Sequence, residues 1–179
     1  MKYYLLISIV LFSFATTWSV YKVGRRNELS ISLHVAQTRL TRWVFGITGS
    51  VAILLASLTI YGALLPLYDA PTIMYAAFGF LLLQMLVTVI VPYIEGSWQG
   101  KIHNLTAWGM CYTIPAIATL SLFLPLSLLA RVSTITILIT EILLMIIVLV
   151  STNQRQKFFL FQSAFLTLFF ALLAILTYV

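Results

Sequence analysis

Long apolar runs alternate with short polar breaks along this chain. Six runs reach the length of about 20 residues that a helix needs to cross a hydrocarbon core about 30 Å thick. They extend from Tyr3 to Tyr21, Trp43 to Leu65, Ile73 to Tyr93, Leu105 to Ala130, Val132 to Ser151 and Phe158 to Tyr178. The pattern predicts an all-α fold, an integral membrane bundle of six transmembrane helices formed by residues 1–179 as one domain. Most connections are short, and Arg131 alone marks the turn between the fourth and fifth helices. The exception is the loop over 22–42. There Leu29, Leu33, Ala36, Leu40 and Trp43 recur at helical spacing. This predicts an amphipathic helix from Leu29 to Trp43 that lies along the interface and runs into the second span. Its polar face carries Ser30, His34, Gln37 and Thr41, and Arg39 and Arg42 would touch anionic lipid. Alternation from Leu29 to Val35 also fits a short extended piece.

Composition fixes the environment. Of the 179 residues, 62% are hydrophobic and 8% charged, against about 45–50% apolar and about 25% charged in soluble domains. The net charge of +6 comes from basic residues scattered over short loops, which form no coherent patch or reading motif for nucleic acid. That charge sets a topology instead. Lys22, Arg25, Arg26, Arg39, Arg42, Lys101, Arg155 and Lys157 fall on one side, and Lys2 and Arg131 on the other. The first, third and fifth loops are therefore predicted cytoplasmic and both termini non-cytoplasmic. Trp18, Trp43, Tyr93 and Trp108 mark the inner interface, Tyr3 and Tyr178 the outer one. The first run also has the make-up of a secretory signal, with Lys2 ahead of an apolar core and small residues at Ser13 and Ala15. Lys22, Arg25 and Arg26 directly after it resist translocation, so the helix is expected to stay. Cys111 is the single cysteine and allows no intrachain disulfide. The sequence has no visible internal repeat to support an inverted-repeat transporter. Small residues at Gly46, Gly49, Ala52 and Ala56 predict close helix contacts.

Two polar features interrupt this oily background. Glu141 sits in the middle of the fifth span, where a carboxylate costs roughly 2.5 kcal/mol or more. Gln84 lies at a similar depth in the third span, so a protonated Glu141 is expected to donate to Gln84, or to Thr113 or Thr136. The sharper alternative for Glu141 is a proton or cation step in a transport path. The second feature is the third loop, polar from Glu95 to Asn104, where Asn104 is expected to cap the fourth helix. It places His103 on the same predicted side as His34, the only other histidine, with Glu28 and Glu95 nearby in sequence. Imidazole with carboxylate is a ligand set for zinc or iron and also an acid–base pair. Local metal spacing is missing, so hydrogen bonding or headgroup contact is the default for both histidines, and no cofactor is expected.

The six-span plan, the first loop from Glu28 to His34 and the stretch from Gly100 to Asn104 at the fourth helix resemble the DRAM/Frag-like membrane superfamily, especially its small prokaryotic relatives. The resemblance implies a lipid-linked role, with Ser30, His34, His103 and Asn104 as a shared polar site. It also implies a non-cytoplasmic position for these motifs, whereas the charge count places them inside. The reading that follows is a polytopic protein binding a lipid headgroup or similar amphiphile at the interface loops, with membrane lipids as partners. Two alternatives remain: a small proton- or cation-coupled transporter using Glu141, as a homo-oligomer, and a metal-dependent lipid-modifying enzyme using His34, His103, Glu28 and Glu95.

Overall fold

The computed structural model describes residues 2–26, 28–150 and 157–179, and among these the regular structure is entirely helical. α1 (Lys2–Val23) ends at Gly24, whose φ of 86° suits a residue without Cβ and whose N–H closes on the Val20 carbonyl at 2.9 Å. α2 (Ile31–Ala36) is short. α3 (Arg39–Leu67) contains a π-helical stretch, Ile60–Leu64, immediately before Pro66. Proline lacks an N–H and crowds the preceding turn, and a wider turn accommodates both effects. α4 (Thr72–Ile90), α5 (Trp98–Ser121), α6 (Leu128–Val150) and α7 (Phe158–Tyr178) complete the order. Among the described residues, α1, α3, α4, α6 and α7 are long and apolar enough to cross a membrane, the pattern of a multi-pass membrane protein.

The long helices close into a ring. α1 packs on α3, α3 on α4, and then each on the next through α7, which returns to α1. Lipid tails are as apolar as the helices, so close packing and interhelical hydrogen bonds hold such a ring together. Gly49 supplies one contact, since a Cβ there would stand 3.0 Å from Val89 Cγ1 on α4. Ser8 supplies another, donating from α1 to the Ala52 carbonyl at 2.7 Å. Ala52 and Ala56 are buried as their spacing predicts, whereas Gly46 looks onto open space.

Three expectations from the sequence change. The fourth helix does not run from Leu105 to Ala130. It starts at Trp98, where the Ser97 hydroxyl accepts from Gly100 N–H at 3.0 Å, and stops at Ser121. Pro125 disfavours helix for the residue before it, so the connection occupies 122–127 and Arg131 lies inside α6. Asn104 consequently sits in the second turn of α5, exposed, and the cap is Ser97.

The amphipathic helix from Leu29 to Trp43 is also broken in two. Thr38 adopts an extended conformation and forms a capping box with Thr41, which starts α3 anew. Its faces are sorted differently from those of a soluble helix. Of the predicted polar face, Ser30, His34 and Thr41 are buried and Gln37 is exposed; of the apolar face, Leu33 and Ala36 are half-buried and Leu40 and Trp43 exposed. In a bilayer this is the cheaper arrangement, because lipid accepts the apolar side chains and cannot satisfy the polar ones.

Candidate functional site

A cavity of about 850 Å³ opens at the α2 end of the ring, within the range of about 300–1,000 Å³ typical of ligand sites. Its body is mainly apolar, walled by Phe12, Phe45, Met85, Met110, Ile114 and Phe165, with Ser50, Thr88 and Cys111 as the polar exceptions. Its rim is polar, carrying Ser32, Arg39, Arg42, Tyr93, His103 and Gln162. Gly46, Ile47 and Val51 of α3 and Ile90 of α4 also line it, and Ile47, Val51 and Ile90 are exposed on the outside of the bundle. The cavity therefore reaches the lipid-facing surface between α3 and α4.

Pro92 builds the rim. It leaves Val91 extended, at φ −84° and ψ 110°, so α4 stops at Ile90 and the Val91 carbonyl is free of the helix. The chain then folds tightly back. Gly100 packs so close to the Ile94 carbonyl that any Cβ would collide with backbone. This brings His103 Nδ1 to 2.7 Å from the Val91 carbonyl. A carbonyl only accepts, so Nδ1 carries the proton and Nε2 is the acceptor, taking the Ser32 hydroxyl at 2.7 Å. The Tyr93 ring meets the imidazole edge-on at 5.8 Å. Across the rim, Gln162 accepts from Ile31 N–H at 2.8 Å and ties α7 to the start of α2.

No family model, curated protein or solved structure matches the chain.

Of the four residues expected to form a polar site, Ser30, His34, His103 and Asn104, His103 is the one that lines this cavity, and Arg39 and Arg42, expected to meet anionic lipid, line it too. Ser30 and His34 are close together but serve the fold. Ser30 caps α2, accepting from Leu33 N–H at 3.1 Å. His34 is fully buried, its Nδ1 donating to the Ser30 carbonyl at 2.9 Å and its Nε2 accepting from Arg26 N–H at 3.1 Å, with Phe159 against the ring. It fastens the segment after α1 onto α2. Replacing His34 with Ala orphans both backbone groups and is expected to cost about 1–2 kcal/mol, read as a lower thermal unfolding midpoint.

His34 and His103 thus bond on opposite flanks of α2, and both nitrogens of each are engaged. Glu28 and Glu95 are exposed. Among the described residues no group of three or more His, Cys, Asp or Glu side chains is placed to hold a metal ion.

The expected bond between Gln84 and Glu141 is not formed. Glu141 is 0% exposed and, among the described residues, neither carboxyl oxygen has a hydrogen-bond partner, nor does Gln84 Oε1. Thr113 and Thr136 donate to carbonyls of their own helices, Gly109 and Val132. The ring explains the miss. α5 stands between α4 and α6, and Gln84 packs against Gly109 of α5 instead.

Three rim residues were missed in the sequence. Ser32 sat on neither predicted face, Tyr93 looked like an ordinary interface aromatic, and Gln162 went unremarked. A signal existed for Gln162, an amide among the apolar residues of the last span.

Proposed function

We propose that this protein spans the membrane six times and binds an anionic amphiphile, with the headgroup at the Arg39/Arg42 rim and the chain in the apolar body. The carrying observation is the division of one 850 Å³ cavity into an apolar interior and a cationic, hydrogen-bonding mouth that also reaches the lipid-facing surface. A soluble metabolite would have no use for such a wall. Arg39 and Arg42 are both exposed at the mouth, one turn apart on α3.

The sixth crossing is α5. Its 24 residues span about 36 Å at about 1.5 Å per residue. It lies between α4 and α6 and joins them through two short turns. Its packing against both crossing neighbours supports a recrossing in α5. Its lower hydropathy reflects the polar first turns from Trp98 to Asn104. The basic bias then places the mouth on the cytoplasmic side and both termini outside. A relationship to the DRAM/Frag-like superfamily would fit the lipid-linked role but not this orientation, since it implies a non-cytoplasmic mouth.

Neutralising the rim tests the headgroup assignment. A Lys or Arg near the surface contributes about 1 kcal/mol to holding anionic lipid, so Arg39→Gln with Arg42→Gln is expected to weaken retention of phosphatidylglycerol by roughly 30-fold. Native mass spectrometry reads this, and retention of phosphatidylcholine serves as the uncharged comparison. Equal phosphatidylglycerol retention by variant and wild type would overturn the assignment.

A further inference from the structure

Resting on that reading of the cavity, we infer that Ser32 is a nucleophile and His103 its general base, and that the bound amphiphile is an acyl ester whose acyl group passes through Ser32. Three groups stand in the order that serine acyl transfer needs: a hydroxyl, an imidazole that accepts its proton, and a fixed acceptor behind the imidazole. Ser32 Oγ lies 2.7 Å from His103 Nε2, and His103 Nδ1 lies 2.7 Å from the Val91 carbonyl.

The direction of these bonds matters more than their length. The Val91 carbonyl cannot donate, so it fixes the tautomer that leaves the Nε2 lone pair aimed at Ser32. A bond that only tethered α2 to α5 would work with the serine as donor or acceptor. Here the serine must donate.

Placement agrees with the chemistry. Ser32 is half-buried and lines the cavity, whereas His103 is buried behind it. In an acyl lipid the ester carbonyls lie between the charged headgroup and the chains. A lipid held at Arg39 and Arg42, with its chain among Phe45, Met85 and Met110, carries its esters at the junction of rim and body. Ser32 and His103 belong to that polar end. Gln162 lines the same cavity, and its Oε1 is occupied by the N–H of Ile31, the residue before Ser32. Its amide NH₂ is the donor assigned to the developing oxyanion.

The step balances without a metal or redox partner. Ser32 Oγ bonds to the ester carbonyl carbon as its proton passes to His103 Nε2, while Nδ1–H stays on Val91. Collapse of the tetrahedral intermediate breaks the acyl carbon–oxygen bond, and the leaving alcohol takes the proton from Nε2. Water, or a second alcohol, then attacks the acyl-serine, with His103 again taking and returning one proton.

The test uses the full-length protein in detergent with a long-chain alkyl fluorophosphonate, which phosphonylates an activated serine and releases fluoride. Peptide mass spectrometry is expected to place the label on Ser32 of the wild type. Ser32→Ala should remove the label. His103→Gln, whose amide can still donate to Val91, should slow labelling by about 100-fold or more, with thermal unfolding confirming a folded variant. Phosphatidylglycerol retention is measured on the same samples. A wild type that retains lipid but shows no label on Ser32 overturns the nucleophile and leaves the binding site standing. Loss of both overturns both readings. A label on another residue, or a His103→Gln protein labelled at the wild-type rate, also overturns the assignment.

Discussion

Gly46→Phe is expected to lower phosphatidylglycerol retention by roughly 10- to 100-fold without loss of thermal stability. Gly46 lines the cavity, and a Cβ added there meets nothing within 4 Å. The new ring therefore enters the space assigned to the acyl chain. A lipid tail leaving the bilayer exchanges one apolar surrounding for another, so its binding depends on shape and contact. Its exclusion is correspondingly steric. Forcing extra atoms into filled space costs about 1–3 kcal/mol, which corresponds to the stated range. Native mass spectrometry reports retention, and a melting curve reports the fold. A variant that retains lipid as the wild type does removes the chain from this cavity; one that melts far lower shows that the space is not available to the ring.

The two lipid variants separate two causes. Arg39→Gln with Arg42→Gln removes a charge-dependent term, which weakens with added salt because exposed charges are screened beyond about 8 Å at physiological ionic strength. Gly46→Phe removes a salt-independent one. With added salt the difference from wild type should therefore shrink for the arginine variant and stay unchanged for Gly46→Phe.

What the sequence disclosed follows the same physics. Helix-length apolar runs are imposed by the bilayer, so the first, second, third, fifth and sixth were found to within a few residues at most boundaries. The fourth was misplaced because its start is set by the Ser97 cap and its end by Pro125, local signals weaker than the surrounding hydropathy. Polar groups were harder to place. Depth along a helix is legible from residue counting, but neighbour identity is not, and Gln84 and Glu141 fell on helices separated by α5. His103 was visible as one of only two histidines. Its partner Ser32 lies 71 positions away in sequence, and nothing local distinguishes it from Ser30. The link is made by Pro92 and Gly100, which fold one loop against α5, and by Thr38, which breaks the first-loop helix so that α2 ends where α3 begins.

Glu141→Met is expected to stabilise the protein by about 2 kcal/mol, within the range of about 1–3 kcal/mol charged to a buried polar group without a partner. A chain of this size converts that to roughly 4–8 °C in thermal midpoint. Glu141 completes the buried stripe of α6, after Ala130, Thr134 and Ile137, and it has no exposed surface. Among the described residues neither oxygen has a hydrogen-bond partner, and Thr134 Oγ1 on the same stripe has none either. Met has similar length, carries no strong polar atom and adapts to irregular space. Glu141→Ala separates packing from polarity, since it removes the same carboxyl but leaves a void and should melt lower than Glu141→Met. The opposite result, with Met and Gln both well below wild type, would mean that the carboxyl itself is used in the membrane, as an ion ligand or a proton carrier. That result would revive the transporter reading. Proton or cation flux into liposomes, compared between wild type and Glu141→Gln, would then decide it.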